Sequence, residues 1–344
     1  MIKTAVIGYG YWGPNLVRNF SESGRTTVVG VSDLREDRLV AAQRRFPGVK
    51  VTQDAASLIN DPDVDAVAIS TPVFAHFDLA LAALKAGKHV LVEKPITATS
   101  EQAMRLIDEA AKRKLTLMVD HTFVYTGAVR KIRELVQKGD LGDILYYDSV
   151  RVNLGLFQRD VDVIWDLAVH DLSIMNYVLD CKAMAVTASG MSHVTGGPEN
   201  IAYLTVFCGG NLLGHINVNW LSPVKLRRTL IGGASRMIVY DDMENSEKVK
   251  VYDKGITVTN GPESTYQAMI GYRSGDMYAP QLEVTEALGV EIRHFADCIE
   301  NGARPITGGE AGLAVVQVLE AATLSMRNRG QLVEINHEPA IVAA

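Results

Sequence analysis

Val6-Ile7-Gly8-Tyr9-Gly10-Tyr11-Trp12-Gly13 follows the apolar run that opens at Ile2 and leads into Pro14 and a helix-period segment. It sets Gly8, Gly10 and Gly13 in the Gly-x-Gly-x-x-Gly spacing between a strand and a helix. Gly8 permits the tight turn, Gly10 lets the backbone approach a pyrophosphate, and Gly13 allows close helix-to-strand packing, while the helix N-terminus attracts the anion. Alone the motif is weak. Asp33, at the end of the second apolar run, adds a carboxylate where an adenosine ribose diol would be bound. The bland alternative is an ordinary strand-turn-helix with an exposed aspartate.

If the cofactor reading holds, Asp33 favours NAD over NADP, since a 2′-phosphate would meet like charge; Arg35 could turn toward such a phosphate and opposes that preference. Ser70-Thr71-Pro72 ends a further apolar run at the carboxyl edge of the expected sheet, where it either lines the cofactor or starts the next helix. Tyr11 and Trp12 either pack the glycine loop or touch the nicotinamide.

Apolar runs near residues 2–7, 26–31, 65–70, 88–92 and 115–119 alternate with helix-period segments, the pattern of a parallel sheet covered on both faces. Thr99 and Gln102 form a capping box for one of these helices, and Gly24 and Gly87 close two others. Beyond about residue 120 the texture changes. A helix near 127–138, closed by Gly139, precedes a strand-like run at 144–152, and Ile201–Cys208, Leu212–Trp220 and Leu226–Ile231 are β-rich without long helices between them. Helical patterns near 283–301 and 309–327 precede a strand-like run at 332–335 and an apolar tail. The fold class is α/β: a Rossmann domain over 1–122 and, over 123–344, a substrate-binding and assembly domain with a large, mainly antiparallel sheet. A broad one-sided sheet needs covering, which predicts a homodimer or homotetramer.

The chain has 344 residues, net charge −6 and no Lys/Arg-rich run, which argues against a nucleic-acid or anionic-membrane partner. Met1 leads straight into the first strand with no secretory leader and no apolar run of membrane-spanning length, so a cytoplasmic protein is expected. Cys181, Cys208 and Cys298 are widely spaced and odd in number, which predicts buried thiols rather than a disulfide framework.

Glu93-Lys94-Pro95 follows the apolar run His89-Val90-Leu91-Val92, and Asp166 and His170 stand four residues apart on an expected helix, projecting from one face. A lysine at a strand end is a surface charge or a fixed cation for a developing alkoxide. The aspartate and histidine make a surface pair, a metal site with Asp171, or a base with its orienting partner. No further His or carboxylate cluster has a ligand spacing, so no metal is expected. Glu93 reads as structural, although it adjoins the cofactor edge. His121 and Tyr125, just after the run at 115–119, are substrate-facing or packed residues.

In order and spacing, the glycine loop, Glu93-Lys94-Pro95 and Asp166-x-x-x-His170 resemble the Gfo/Idh/MocA family of nicotinamide-dependent sugar and cyclitol oxidoreductases, over nearly the whole chain. The resemblance implies that Lys94 lies between nicotinamide and substrate, and that Asp166 and His170 bind or deprotonate the reacting hydroxyl. It also implies substrate-facing roles for His121 and Tyr125. The segment Trp220-Leu-Ser-Pro-Val-Lys225-Leu-Arg227-Arg228 joins two expected strands. It is a charged sheet edge or, through Lys225 and Arg227, a diphosphate clamp. Sequences of this family with such a segment are similar to dehydrogenases of nucleotide-activated hexoses that act at the ring 3-hydroxyl. Arg151, Arg159 and Arg273 are further candidate anion contacts. The competing expectations are a dehydrogenase of a free sugar or cyclitol, and a module that senses a ligand without chemistry.

Overall fold

The computed structural model describes residues 1–155, 161–258 and 270–336. Its first part alternates strand and helix: β1 (Ile2–Ile7), α1 (Gly13–Glu22), β2 (Thr26–Ser32), α2 (Glu36–Arg45), β3 (Lys50–Thr52), α3 (Ala55–Ile59), β4 (Ala66–Ile69), α4 (His76–Lys85), β5 (His89–Glu93), α5 (Ser100–Arg113) and β6 (Leu117–Asp120). All pairings are parallel in the order β3-β2-β1-β4-β5-β6. Strand order reverses between β1 and β4, and ligands of such sheets bind outside the carboxyl ends at that switch. Every residue of β4 is buried, as expected of a strand covered on both faces.

Local signals agree with these boundaries. Pro14 stands in the first turn of α1, and Thr99 caps α5 by accepting from Gln102 N at 3.2 Å. Gly87, at φ +80°, supplies the left-handed step after α4 that an L side chain resists.

The second part comprises α6 (Gly127–Gln137), β7 (Ile144–Leu154), α7 (Val169–Leu179), β8 (Ala183–Met191), β9 (Ile201–Cys208), β10 (Leu213–Asn219), β11 (Leu221–Gly233), β12 (Met237–Asp241), β13 (Val249–Tyr252), β14 (Gly255–Val258), β15 (Ile270–Arg273), β16 (Met277–Tyr278), α8 (Ala287–Asn301), α9 (Gly309–Arg327) and β17 (Val333–Glu334). Nine strands form one sheet in the order β16-β13-β12-β11-β7-β10-β9-β8-β17, antiparallel except for β7 with β10. β7 separates β10 from β11, so the stretch after Trp220 does not turn back beside β10. It continues as part of β11, with an irregularity between Leu221 and Leu226.

The chain divides into two compact units. Among the described residues, one holds 1–126 and 285–317, the other 127–284 and 318–336. This differs from a single cut after residue 122: the chain returns to the Rossmann unit with α8, because buried positions such as Leu288, Ile292 and Phe295 give that helix a face for the first core. Phe295 packs edge-on to Phe20 of α1, ring centroids 6.3 Å apart.

The cysteine expectation is corrected. Cys181 and Cys208 form a disulfide with Cα atoms 6.0 Å apart, within the usual bridging range. The pairing of Ala183 with Cys208 brings them together, a register that spacing alone does not reveal. Cys298 is the buried free thiol among the described residues. No helix among the described residues is long and apolar enough to cross a membrane.

Candidate active site

The glycine loop is built as its spacing predicts. Gly8 sits at φ +97°, and a Cβ there would lie 2.3 Å from the Ser70 carbonyl oxygen. A Cβ on Gly13 would lie 2.2 Å from Gly8 O. Gly10 has no neighbouring atom within 4 Å of its Cβ position, so backbone is open to an approaching group. Asp33 follows β2; its Oδ2 accepts from Tyr9 N at 2.7 Å and its Oδ1 from Arg35 N at 2.9 Å. Arg35 is paired with Asp37 at 2.6 Å.

Ser70 N donates to Ile7 O at 2.7 Å, which holds the Ser70-Thr71-Pro72 turn against the end of β1. The Thr71 hydroxyl oxygen is buried and meets no partner among the described residues. An open glycine cradle, a carboxylate after β2 and an unmatched hydroxyl fit a dinucleotide. Tyr11 is exposed, whereas the Trp12 indole donates to Asp120 Oδ2 at 2.7 Å.

His76, not singled out from the sequence, is buried at the start of α4. Its ring nitrogens lie 2.8 Å from both Thr71 O and Pro95 O, which bridges the two turns. Two carbonyls favour the doubly protonated ring, but burial outweighs them and lowers its pKa. A histidine opening a helix after Pro72 was the available signal; its partners are visible only in three dimensions.

Lys94 follows the end of β5 and is partly accessible, and its peptide bond to Pro95 is cis. Its backbone N–H donates to Glu93 Oε2 at 3.0 Å. The structure withdraws two expected substrate contacts from solvent. Tyr125 is 2% exposed, shares a hydrogen bond with Thr307 Oγ1 at 3.0 Å and packs on His294, so it is a core residue here. His121 is 1% exposed, and burial lowers its pKa to about 4, so the ring is neutral at physiological pH.

In the second unit the chain enters α7 through a π-helical turn, Ile164–Ala168, a wide turn that recurs at functional sites. Asp162 Oδ1 caps it, accepting from Ile164 N at 2.9 Å and Trp165 N at 3.1 Å. Asp166 lies in the wide turn and His170 in the first turn of α7; both are partly accessible. Trp220 Nε1 donates to Asp166 Oδ2 at 3.0 Å. A Cβ on Gly155 would meet the Trp220 ring at 2.8 Å, so glycine leaves room for the indole.

Four sequence candidates have other work. Asp171 is not a ligand beside His170: it is buried and paired with Arg151, Nε to Oδ2 2.6 Å, which also removes Arg151 from the anion contacts. Arg227 pairs with Asp242 at 3.2 Å. Arg273 pairs with Asp253 at 2.6 Å. Lys225 is exposed on β11, and Arg159 lies outside the described residues. No His/Cys/Asp/Glu group among the described residues could hold a metal ion.

Comparison with known proteins is decisive for the family. Residues 2–121 match the oxidoreductase family with an NAD-binding Rossmann fold, and residues 129–239 match the GFO/IDH/MocA C-terminal domain. The chain belongs to the GFO/IDH/MocA oxidoreductase family. It is therefore an NAD(P)-dependent dehydrogenase. Similar over nearly their whole lengths are a UDP-N-acetylglucosamine 3-dehydrogenase of Acidithiobacillus ferrooxidans, 29% identical with 95% of this chain and 96% of that one covered, and the scyllo-inositol 2-dehydrogenase (NAD(+)) of Bacillus subtilis, 23% identical with 95% and 94% covered. The crystal structure of the A. ferrooxidans enzyme type superposes with TM-score 0.76 at 24% identity, covering 94% of this chain and 99% of that one, a likeness of fold.

Proposed function

We propose that this GFO/IDH/MocA dehydrogenase interconverts a secondary alcohol and a ketone on a sugar ring, at C3 of a nucleotide-activated hexose. NAD, held by Gly8, Gly10, Gly13, Asp33 and the Ser70–Pro72 turn, supplies the hydride acceptor when bound. In this reading His170 takes the hydroxyl proton, imidazole being the side chain most often used as a general base. Lys94 stabilises the developing negative charge on that oxygen. Asp166 orients the imidazole or holds a neighbouring hydroxyl.

The observation that carries the substrate class is the hydrogen bond from Trp220 to Asp166. It ties the Trp-x-Ser-Pro-x-Lys segment to the carboxylate assigned to the sugar. Lys225, exposed farther along the same segment on β11, is a cation open to a phosphate. Arg227 reaches a phosphate only by leaving Asp242. That existing ion pair favours a second reading, a dehydrogenase of a free sugar or cyclitol, to which the inositol dehydrogenase relative also points.

Incubating the enzyme and NAD with UDP- or TDP-hexoses deuterated at C3, beside the free sugars and inositols, decides between them. Deuterium recovered in the reduced cofactor from the nucleotide sugar supports the first reading; faster oxidation of a free sugar or cyclitol replaces it with the second. The same unit offers an assembly surface. Tyr203, Phe207, Leu213 and Tyr146 are exposed on β9, β10 and β7, and an apolar sheet face of this kind suits a homodimer or homotetramer. Light scattering of wild type against Phe207→Glu tests it; an unchanged mass excludes that face.

A further inference from the structure

Three carboxyl groups meet inside the Rossmann unit. Glu93 and Asp120 are register partners at the ends of β5 and β6. Glu291, in the second turn of α8, faces Asp120 and feels the charge of Glu93. Asp120 is 2% and Glu291 0% exposed. An edge of Glu93 is reached by solvent, yet desolvation dominates the environment of its carboxyl.

Asp120 accepts from the Trp12 indole at Oδ2 and from the Thr122 hydroxyl at Oδ1. Glu291 is in the opposite position: neither oxygen meets an N–H or O–H donor among the described residues. The His121 backbone N–H, which also lies against it, already donates to Val119 O at 2.8 Å. What Glu291 does face is the Asp120 carboxylate, an acceptor. That contact becomes a hydrogen bond only if a proton sits on one of the two groups.

An ionised carboxylate offers about four lone-pair directions. Trp12 and Thr122 use two on Asp120, and an O–H from Glu93 and another from Glu291 use the rest. Glu93 then accepts the Lys94 N–H on Oε2 and donates through its other oxygen. With all three ionised, buried like charges would face one another without donors between them. We propose that Glu93 and Glu291, as carboxylic acids, donate to the Asp120 carboxylate, and that this proton-sharing cluster positions the Trp12 end of the glycine loop and the Lys94 backbone relative to each other. Glu291 is thus a positioning residue supplied by the returning helix. Burial and the charge on Asp120 push both glutamates well above the usual carboxylate range. Of the other ionisable groups nearby, Lys94 favours the ionised form of Glu93, His121 is held neutral, and burial raises the Tyr125 phenol well above its ordinary value.

The part of this inference that concerns Lys94 rests on the proposed function; the part that concerns the glycine loop does not. The test uses intact protein carrying ¹³C-carboxyl glutamate, first without cofactor. Two glutamate signals are expected to keep the protonated shift at neutral pH, and Glu291→Gln removes one of them. Melting temperature supplies the linkage sign. A glutamate with a raised folded pKa contributes fully below its ordinary value of about 4.3 and loses that contribution as pH climbs through the folded pKa. Wild type should therefore lose stability over that window, and Glu291→Gln should lose less.

NAD affinity is the second readout. Asp120→Asn, which weakens the acceptor of every donor, should raise Kd for NAD about tenfold, the scale of one charged hydrogen bond. Glu291→Gln, whose amide still donates, should rescue most of the loss that Glu291→Ala shows. All glutamates titrating in the ordinary range would overturn the proposal even if no variant folds. So would Asp120→Asn with unchanged NAD affinity, or Glu291→Gln as damaging as Glu291→Ala. None of these readouts needs a sugar, so a failure of the proposed substrate with the protonated signals intact faults the function alone.

Discussion

Arg151 on β7 and Asp171 in the first turn of α7 form a salt bridge with both side chains almost fully buried, Nε to Oδ2 2.6 Å and Nη2 to Oδ1 3.3 Å. Asp171 is next to His170, so this fork fixes the turn that carries the histidine to the sheet beneath it. Tyr147 adds a hydrogen bond to Asp171 O at 3.2 Å. Breaking such a pair from one side leaves a buried charge without its counter-ion, which costs about 3–5 kcal/mol. Asp171→Ala is therefore expected to lower stability on that scale in a denaturant titration and to reduce turnover by loosening His170. A change below about 1 kcal/mol, the range of an exposed pair, would show that the fork is dispensable.

Lys94→Ala and His170→Ala are each expected to lower turnover roughly 100-fold or more, the scale of lost electrostatic stabilisation or general-base catalysis. Both side chains are partly accessible rather than core residues, so circular dichroism and melting temperature should stay close to wild type. A folded variant with near wild-type rates removes that residue from the mechanism.

The parallel sheet and its glycine loop were legible in the sequence because their determinants are local. The Gly8–Gly13 spacing, Pro14, the Thr99 cap and the buried run of β4 each act within one turn or one strand. What stayed hidden depends on partners far along the chain. Nothing near Asp171 announces Arg151, twenty residues earlier, nothing near Cys181 announces Cys208, and nothing near Asp120 announces Glu291 on a helix that returns after most of the second sheet. The 220–228 segment shows the same limit: its composition suggested a connection, whereas pairing with β7 makes it strand. The sequence left Tyr125 open between a substrate contact and a packed residue because an aromatic residue near a site and one beneath it have the same local sequence.

The Cys181–Cys208 bridge closes a loop with sequence separation 27 and ties the residue before β8 to the end of β9. Chain-entropy arguments assign a loop of that size roughly 3–4 kcal/mol. Thiol labelling under denaturing conditions without reductant should find one reactive cysteine, Cys298. Cys208→Ser, or incubation with a thiol reductant, should lower the melting temperature. Three free thiols in protein kept from reductant would mean that the bridge does not form in solution.

Cofactor choice offers the sharpest test of the glycine loop. Asp33 receives two backbone N–H groups, from Tyr9 and Arg35, which hold its carboxylate at the end of β2. A ribose diol can donate to that carboxylate, while a 2′-phosphate brings like charge to it. Arg35, a nearby cation that could reverse the preference, pairs with Asp37 through both Nε and Nη2, at 3.0 and 2.6 Å. That pair is exposed, so it can be broken at little cost. Wild type should therefore prefer NAD, Asp33→Ser should shift the ratio of kcat/KM toward NADP by tenfold or more, about 1.4 kcal/mol, and Asp37→Ala, by freeing Arg35, should shift it the same way with Asp33 intact. Equal use of both cofactors by wild type, or a preference unmoved by Asp33→Ser, would mean that the selectivity is set elsewhere than at the end of β2.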